Sequence, residues 1–335
     1  MPLVSIIIPA FNSENTVKET IESVLNQTWT DWEIILVNDG SQDSTLEIVN
    51  NINDNRLKIF TYSNGGANAS RNRGLSHASG EFVSFLDADD LWTPDKLESQ
   101  FKALQENPEA AVAYSWTNSI DETGNFLRRG SYITANGDIY TKLLLIDFIE
   151  SGSNPLIRRA ALANVGDFDE SLAAAQDWDM WLRLAAQYHF VAVSSVQILY
   201  RVSNNSMSAN ILRQEAASLQ VIEKSFSNAP QSLQYLKKYS IGNRYKCLTF
   251  MALQRNPSRK QGIIAMKLLI YTIKNDPSLL MAKALLKVFF KIVVMIIFSP
   301  EQTQYLITKL NRLLNIESFL GYIKLEVLSI NSNSL

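Results

Sequence analysis

One cysteine, Cys247, in 335 residues excludes an internal disulfide and a Cys-rich zinc centre, which fits a reducing compartment. Cys247 itself reads as a small core side chain in a helix. The chain has no G-x-G-x-x-G fingerprint and no G-K-[ST] loop, which argues against a dehydrogenase and a P-loop NTPase. Long apolar runs are missing too: Ala284 to Phe298 is interrupted by Lys287 and Lys291 and falls short of the roughly 20 residues a spanning helix needs. Met1-Pro2-Leu3-Val4-Ser5 has no basic n-region and runs straight into a strand-like segment, so it does not read as a signal peptide. Gly and Pro are few, at 13 and 9, while hydrophobic residues make up 46%, enough to bury a full core split between two units.

The net charge of -2 hides an asymmetry. Residues 1–205 carry 14 Lys and Arg against 27 Asp and Glu, whereas residues 206–335 carry 17 against 6. An acidic half suits recruitment of divalent cations, and a basic half suits a partner rich in phosphate such as an anionic membrane surface. No basic cluster interleaved with aromatics points to nucleic acid.

The first hundred residues alternate β-branched runs with amphipathic stretches, the pattern of an α/β fold in which helices flank a mostly parallel sheet. Strands are expected at Val4–Ile8, Glu33–Val37, Leu57–Tyr62 and Phe82–Leu86, with helices at Glu14–Asn26, near Ser44–Asn51 and at Ala69–His77, and another opened by Pro94. Strands at Ala111–Trp116 and Val191–Tyr200 and a helix near Tyr140–Ile149 follow. Beyond Ser206 helical patterns dominate, which divides the chain into 1–205 and an all-helical extension, 206–335, with an Asn/Ser-rich tail at Asn331–Leu335.

Ligands of open parallel sheets bind outside the carboxyl ends of the strands. Polar clusters fall there: Pro9-Ala10-Phe11-Asn12, Asn38-Asp39-Gly40-Ser41 and Asp87-Ala88-Asp89-Asp90. Three carboxylates within four positions repel one another unless a cation joins them, and Mn²⁺ or Mg²⁺ binds such sites together with substrate phosphate oxygens. Helix capping is the alternative use. Asp39 can offer its carboxylate to a nucleobase N–H edge or a ribose hydroxyl, with Gly40 allowing close backbone approach, or serve as an ordinary turn aspartate. Gly65-Gly66 with Arg71 and Arg73 sits where a helix N-terminus and guanidinium groups could meet a diphosphate.

Pro2–Asn12 (PLVSIIIPAFN), Val37–Thr45 (VNDGSQDST), Ala69–Leu75 (ASRNRGL), Phe85–Trp92 (FLDADDLW) and Gln176–Arg183 (QDWDMWLR) resemble, in order and spacing, the family-2 glycosyltransferases of GT-A fold. The resemblance covers roughly residues 1–205. It implies transfer of one sugar from a nucleoside-diphosphate donor, UDP by default, to an acceptor hydroxyl with inversion, in polysaccharide, lipopolysaccharide or glycolipid assembly. It further implies a nucleoside pocket lined by Pro9, Phe11 and Asp39 with Glu14 and Arg71 nearby; Ala10, Asn12, Gly40, Asp87 and Ala88 belong to the same donor side. Asp87-x-Asp89 would be the metal-diphosphate motif, with Asp89 the first metal ligand and Asp90 the second. Asp177 would be the catalytic base, which must come from a segment other than the metal ligands. Gln176 and Trp178 are placed on the acceptor side, although Trp178, Trp181 and Leu182 also read as the packed face of their helix.

Two departures from the family pattern stand out: Gln176 where glutamate is common before the base, and Ser203 where many relatives place a metal-completing histidine. Neither His77 nor His189 replaces it, and both read as surface or packing residues. The Gln-x-x-Arg-Trp motif of processive synthases is missing. In Met281–Phe298, Lys283, Lys287 and Lys291 recur every four residues, with Leu285, Phe289, Ile292 and Ile296 assigned to the opposite face. Such a helix lies in a membrane interface or buries its apolar face in a bundle or dimer. The expected location is cytoplasmic, peripheral at the inner face of the cell membrane, with a glycan or lipid-linked acceptor. The rival readings are a catalytically weak nucleotide-sugar-binding scaffold and a nucleotidyltransferase, both disfavoured by the retained Asp87, Asp89 and Asp177 and by the ordered motifs.

Overall fold

The computed structural model describes residues 2–203 and 210–326. The expected boundary at 205/206 and the tail at Asn331–Leu335 lie outside the described residues. The chain divides into two compact units, 1–143 with 147–206, and 144–146 with 207–335.

In the first unit the chain runs β1 (Val4–Ala10), α1 (Val17–Leu25), β2 (Trp32–Asn38), α2 (Thr45–Asn50), β3 (Leu57–Thr61), α3 (Ala67–His77), β4 (Phe82–Phe85) and β5 (Leu91–Trp92). It continues through α4 (Lys96–Glu106), β6 (Ala110–Ile120), β7 (Phe126–Arg129), α5 (Tyr140–Leu145), whose last two residues belong to the second unit, β8 (Leu156–Arg158), α6 (Arg159–Val165), α7 (Gln176–Ala185) and β9 (His189–Arg201). One sheet is formed in the order β3-β2-β1-β4-β8-β6-β9-β5, with β7 on β6. The strands β3, β2, β1 and β4 are parallel. Strand β8 runs antiparallel to both β4 and β6, so the sheet is mixed beyond β4. The seven residues of β2 are all buried and those of β1 nearly so, as expected of strands covered on both faces. Val17, Ile21 and Val24 of α1 pack onto this core with Ile6, Ile8, Ile34 and Leu36.

Helix α4 begins at Lys96, two residues after Pro94, because the Lys96 N–H bonds to the Thr93 carbonyl and closes a turn first. Helix α5 stops at Leu145 rather than Ile149.

The second unit holds α8 (Ile211–Asn228), α9 (Lys237–Gln254), α10 (Arg259–Asn275), α11 (Lys283–Ile297), α12 (Pro300–Lys309), α13 (Asn311–Leu314) and α14 (Glu317–Leu320). Leu248, Leu253, Leu268, Val288, Ile292 and Phe319 form its core. Within it, Lys246 and Lys324 both bond the Asp276 carboxylate, at 2.8 and 2.9 Å. Burial would raise that carboxyl, but hydrogen bonds from Lys246, Ser278 and Lys324 outweigh it and hold it at about 2. The expected faces of α11 need correction. Lys291 is 6% exposed, while Phe289 is 49% exposed. A spacing of four residues overshoots the 3.6-residue turn by about 40° each time, so by the third lysine the stripe has rotated into the packed side. Among the described residues no helix is long and apolar enough to cross a membrane.

Candidate active site

The parallel strands deliver their polar ends to one edge. Ala10 lies opposite Asn38, and the Asp39 N–H bonds to the Ala10 carbonyl at 2.8 Å. Pro9 stays within β1, part-exposed. Past β1 the chain turns through Asn12 at φ 48°, leaving Phe11 48% exposed at the rim. Asn12 and Glu14 stitch this turn to the next: Asn12 Oδ1 accepts from Gln42 N at 2.8 Å, and Glu14 Oε2 accepts from Ser44 N at 2.9 Å.

Asp39 is 3% exposed, and its carboxylate accepts from the N–H groups of Gly65 and Gly66 at 2.9 and 2.8 Å and from Arg73 Nη1 at 3.0 Å. It therefore organises the turn that opens α3. Gly40, at φ +75°, leaves a Cβ only 3.2 Å from Asn64 N, so the two loops approach through a backbone that only glycine adopts without strain. Gly74 brings α3 onto β1, since a Cβ there would fall 2.4 Å from Ile7 Cγ2. One turn earlier on the same helix, Arg71 is carried under the strand ends at 3% exposure, and its Nη2 bonds Asp87 Oδ1.

After β4 the Leu86 N–H still bonds the Ile7 carbonyl, and the chain then turns from Asp87 to Asp90. Four anchors hold that turn. The Asp87 N–H reaches Ser153 Oγ at 3.0 Å, the Ala88 carbonyl accepts from Thr16 Oγ1 at 2.8 Å, the Asp89 carbonyl accepts from Arg201 Nε at 2.8 Å, and the Asp90 carbonyl accepts from Thr20 Oγ1 at 3.0 Å. The three carboxylates diverge. Asp87 is 31% exposed. Asp89 is part-exposed, and burial together with the neighbouring Asp87 charge raises its carboxyl to about 6. Asp90 is fully buried; its oxygens accept from Ser153 Oγ at 2.6 Å, Ser151 Oγ at 3.2 Å and Arg201 N at 3.0 Å. Asp90 staples the turn from inside, so its expected duty as a metal ligand does not suit its position. Among the described residues no group of three or more His, Cys, Asp and Glu is arranged to hold a metal ion. Asp87 and Asp89 are hard oxygen donors of the kind that bind Mg²⁺ or Mn²⁺ in pairs, with phosphate and water completing the shell.

The opposite wall is α7. It starts after Ala175, whose φ of 56° is left-handed, and Asp177 Oδ1 accepts from the Trp178 N–H at 2.9 Å. Burial raises the Asp177 carboxyl above the usual aspartate value, and the Arg71 charge opposes that rise. A Cβ on Gly152 would lie 3.4 Å from Arg71 Nη2 and 3.8 Å from Asp177 Cβ. Arg71 thus stands beside carboxylates from two different segments, and its Nε and Nη1 are buried without a hydrogen-bond partner. Gln176 is 8% exposed with Oε1 likewise unpartnered. Trp178 is only 2% exposed and its indole N–H bonds the Leu143 carbonyl at 2.9 Å, so it packs the helix and does not line the acceptor side. His77 stacks on Phe60 at 3.8 Å between centroids and its Nε2 pairs with Tyr62 Oη at 2.8 Å, and His189 opens β9 at the surface.

Sequence reasoning missed Ser151, Gly152, Ser153 and Arg201. The run Ser151-Gly152-Ser153-Asn154 is a concentration of small polar residues, but only its contacts with Asp87 and Asp90 give it meaning. Arg201 bridges the Asp89 carbonyl and, at 2.7 Å, Glu19 Oε2.

The family described as Glycosyltransferase like family 2 matches residues 5–252. The Escherichia coli UDP-Glc:alpha-D-GlcNAc-diphosphoundecaprenol beta-1,3-glucosyltransferase WfgD is 31% identical over 243 residues, 71% of this chain and 92% of that protein. The Pasteurella multocida chondroitin synthase is 32% identical over 187 residues, 55% of this chain but 19% of the synthase. Among solved structures, Staphylococcus aureus TarS 1-349 in complex with UDP-GlcNAc superposes with a TM-score of 0.53 at 18% identity, over 81% of this chain and 88% of that one.

Proposed function

This chain belongs to the family-2 glycosyltransferases and has their GT-A fold, and on that premise we propose that it moves one sugar from a UDP-sugar to an acceptor hydroxyl with inversion at the anomeric carbon. The observation that carries the reading is Arg71: a buried guanidinium with two unmatched donors, between Asp87 of the β4 turn and Asp177 of α7. A buried guanidinium with donors left over beyond its ion pair suits a phosphate-bearing ligand.

Asp177 is the general base. It arises on a different segment from the acid turn, so it addresses the acceptor while the diphosphate lies toward Asp87, and its raised carboxyl is a better proton acceptor than an ordinary aspartate. Asp87 and Asp89 would hold Mg²⁺ or Mn²⁺, which when bound neutralises the diphosphate leaving group. Arg71 orients Asp87 and adds positive charge beside the diphosphate. Phe11 and the turn through Asp39, Gly40 and Gly65-Gly66 form the nucleoside end. The names of WfgD and TarS support UDP as the nucleotide and a lipid-linked or glycan acceptor. A lipid-linked acceptor would place the work in the cytoplasm at the inner membrane face.

Turnover of a panel of nucleotide sugars with Mn²⁺, Mg²⁺ or EDTA, for wild type and Asp177→Asn, tests the reading. One donor is expected to turn over with metal and to lose about 10²–10⁴-fold in transfer in the variant. Full transfer by Asp177→Asn would remove the base assignment.

A further inference from the structure

Helix α10 presents Lys260, Ile263, Lys267, Ile270 and Lys274 to solvent. Their spacing of three, four, three and four residues puts all five on one stripe. Ile263 and Ile270 are 54% and 59% exposed. Helix α11 adds Lys283 at its start and then an apolar run of Leu286, Phe290 and Ile297; Leu286 is 73% exposed, Phe290 42% and Ile297 68%. The two helices are antiparallel neighbours: a Cβ on Gly262, near the start of α10, would lie 2.8 Å from Ile296 Cγ1 and 3.2 Å from Met295 Cβ, near the end of α11. One step along a right-handed helix turns a side chain by about 100°, and reversing the chain direction reverses the sense of that turn. Ile263 and Ile297, each one residue beyond the contact, therefore emerge on the same side of the pair.

Neither α10 nor α11 contains an aspartate or glutamate. Glu215, from α8, lies 4.0 Å from Lys267 Nζ. The result is one face that combines large exposed apolar side chains with lysines, alternating along α10 and mostly apolar along α11. We propose that this α10–α11 face is a docking surface for an anionic lipid bilayer, with the isoleucines, Leu286 and Phe290 entering the headgroup boundary and Lys260, Lys267, Lys274 and Lys283 pairing with lipid phosphates. Apolar side chains supply depth and lysines supply preference for negative charge. A second copy of this chain is the poorer occupant, because like stripes facing each other would bring lysine against lysine without a compensating acid. The proposal uses none of the residues assigned to transfer, so its failure leaves the glycosyltransferase reading intact.

The test is flotation of the full chain with vesicles of pure phosphatidylcholine and of phosphatidylcholine with equal phosphatidylglycerol, at low and high salt. Wild type is expected to float with the anionic vesicles only, and salt should release it. Ile270→Asp with Phe290→Asp should abolish flotation, and each of Lys260→Gln, Lys267→Gln and Lys274→Gln should weaken it about fivefold. All positions are exposed, and unchanged circular dichroism and donor turnover would show the variants folded. Absence of binding by wild type, binding indifferent to these substitutions, or a dimer in light scattering that Phe290→Asp splits would overturn the proposal.

Discussion

Arg71 and Asp87 form an ion pair whose two halves differ in access: the Arg71 side chain is 3% exposed and the Asp87 side chain 31%. The cation belongs to the protein interior and the anion to the mouth of the site. The pair fixes the direction in which Asp87 points, and Arg71 still has two buried donors to spare.

Arg71→Met removes the positive charge and leaves Asp87 facing Asp177 without an intervening cation. Donor kcat/KM is expected to fall by about 10²–10³-fold, with Arg71→Lys recovering part of the loss. Steady-state kinetics with calorimetric UDP binding check it; UDP affinity unchanged in Arg71→Met would exclude a role at the diphosphate.

Asp89 and Asp90 are adjacent and should separate cleanly in experiment. Asp89→Ala should abolish metal-dependent turnover and, by removing a carboxylate that costs stability at neutral pH, should not lower the melting temperature. Asp90→Ala should destabilise by about 3 kcal/mol, because three buried donors lose their acceptor. Thermal melts alongside metal-titrated activity distinguish the two, and equal loss of stability in both variants would contradict the division of roles.

Two carboxyls should give opposite pH signatures in stability. Burial alone would push Glu33 up, but hydrogen bonds from Lys58, Ser5 and Ser79 outweigh it and hold the carboxyl at about 2, below its usual 4.5. Its contribution is present above pH 4.5 and is lost as pH falls toward 2. The exposed half of Lys58 lowers the value of the pair, and we expect about 2 kcal/mol. Asp89, raised to about 6 from 3.8, works in reverse: it costs stability at neutral pH, and that cost is relieved as pH falls from 6 to 3.8. Urea unfolding in EDTA across pH 3–7 should show Glu33→Gln removing the acid-side loss and Asp89→Asn removing the opposing slope.

The acid limb of the pH–rate profile is expected to report Asp177. Its carboxyl lies above the ordinary aspartate value of 3.8, so kcat/KM should fall as pH drops through that raised value, and the limb should vanish in the residual activity of Asp177→Asn.

Gly74→Ala drives a methyl to 2.4 Å from Ile7 Cγ2. The gain in helix propensity is smaller than the overpacking, and a net loss of about 1–3 kcal/mol is expected in chemical denaturation. Stabilisation would mean that α3 moves freely away from β1, against the placement of Arg71.

The sequence by itself determined the strands, the helices between them and the edge at which their polar ends meet. Those features depend on local patterns: β-branched runs at Val4–Ala10 and Trp32–Asn38, helical spacing in α1, and polar residues at the strand ends. Five motifs in order also carried the family. Tertiary structure alone decided the duties of neighbours. Asp90 turns inward because Ser151, Ser153 and Arg201 arrive from at least 61 residues away, and no local pattern records their arrival. Asp39 bonds the turn 26 residues on, and Trp178 finds a carbonyl 35 residues back. The lysines of α11 failed as a guide for a related reason: a helix has a periodic sequence, but which side it buries is set by the helices packed against it, and Lys291 fell on the buried side.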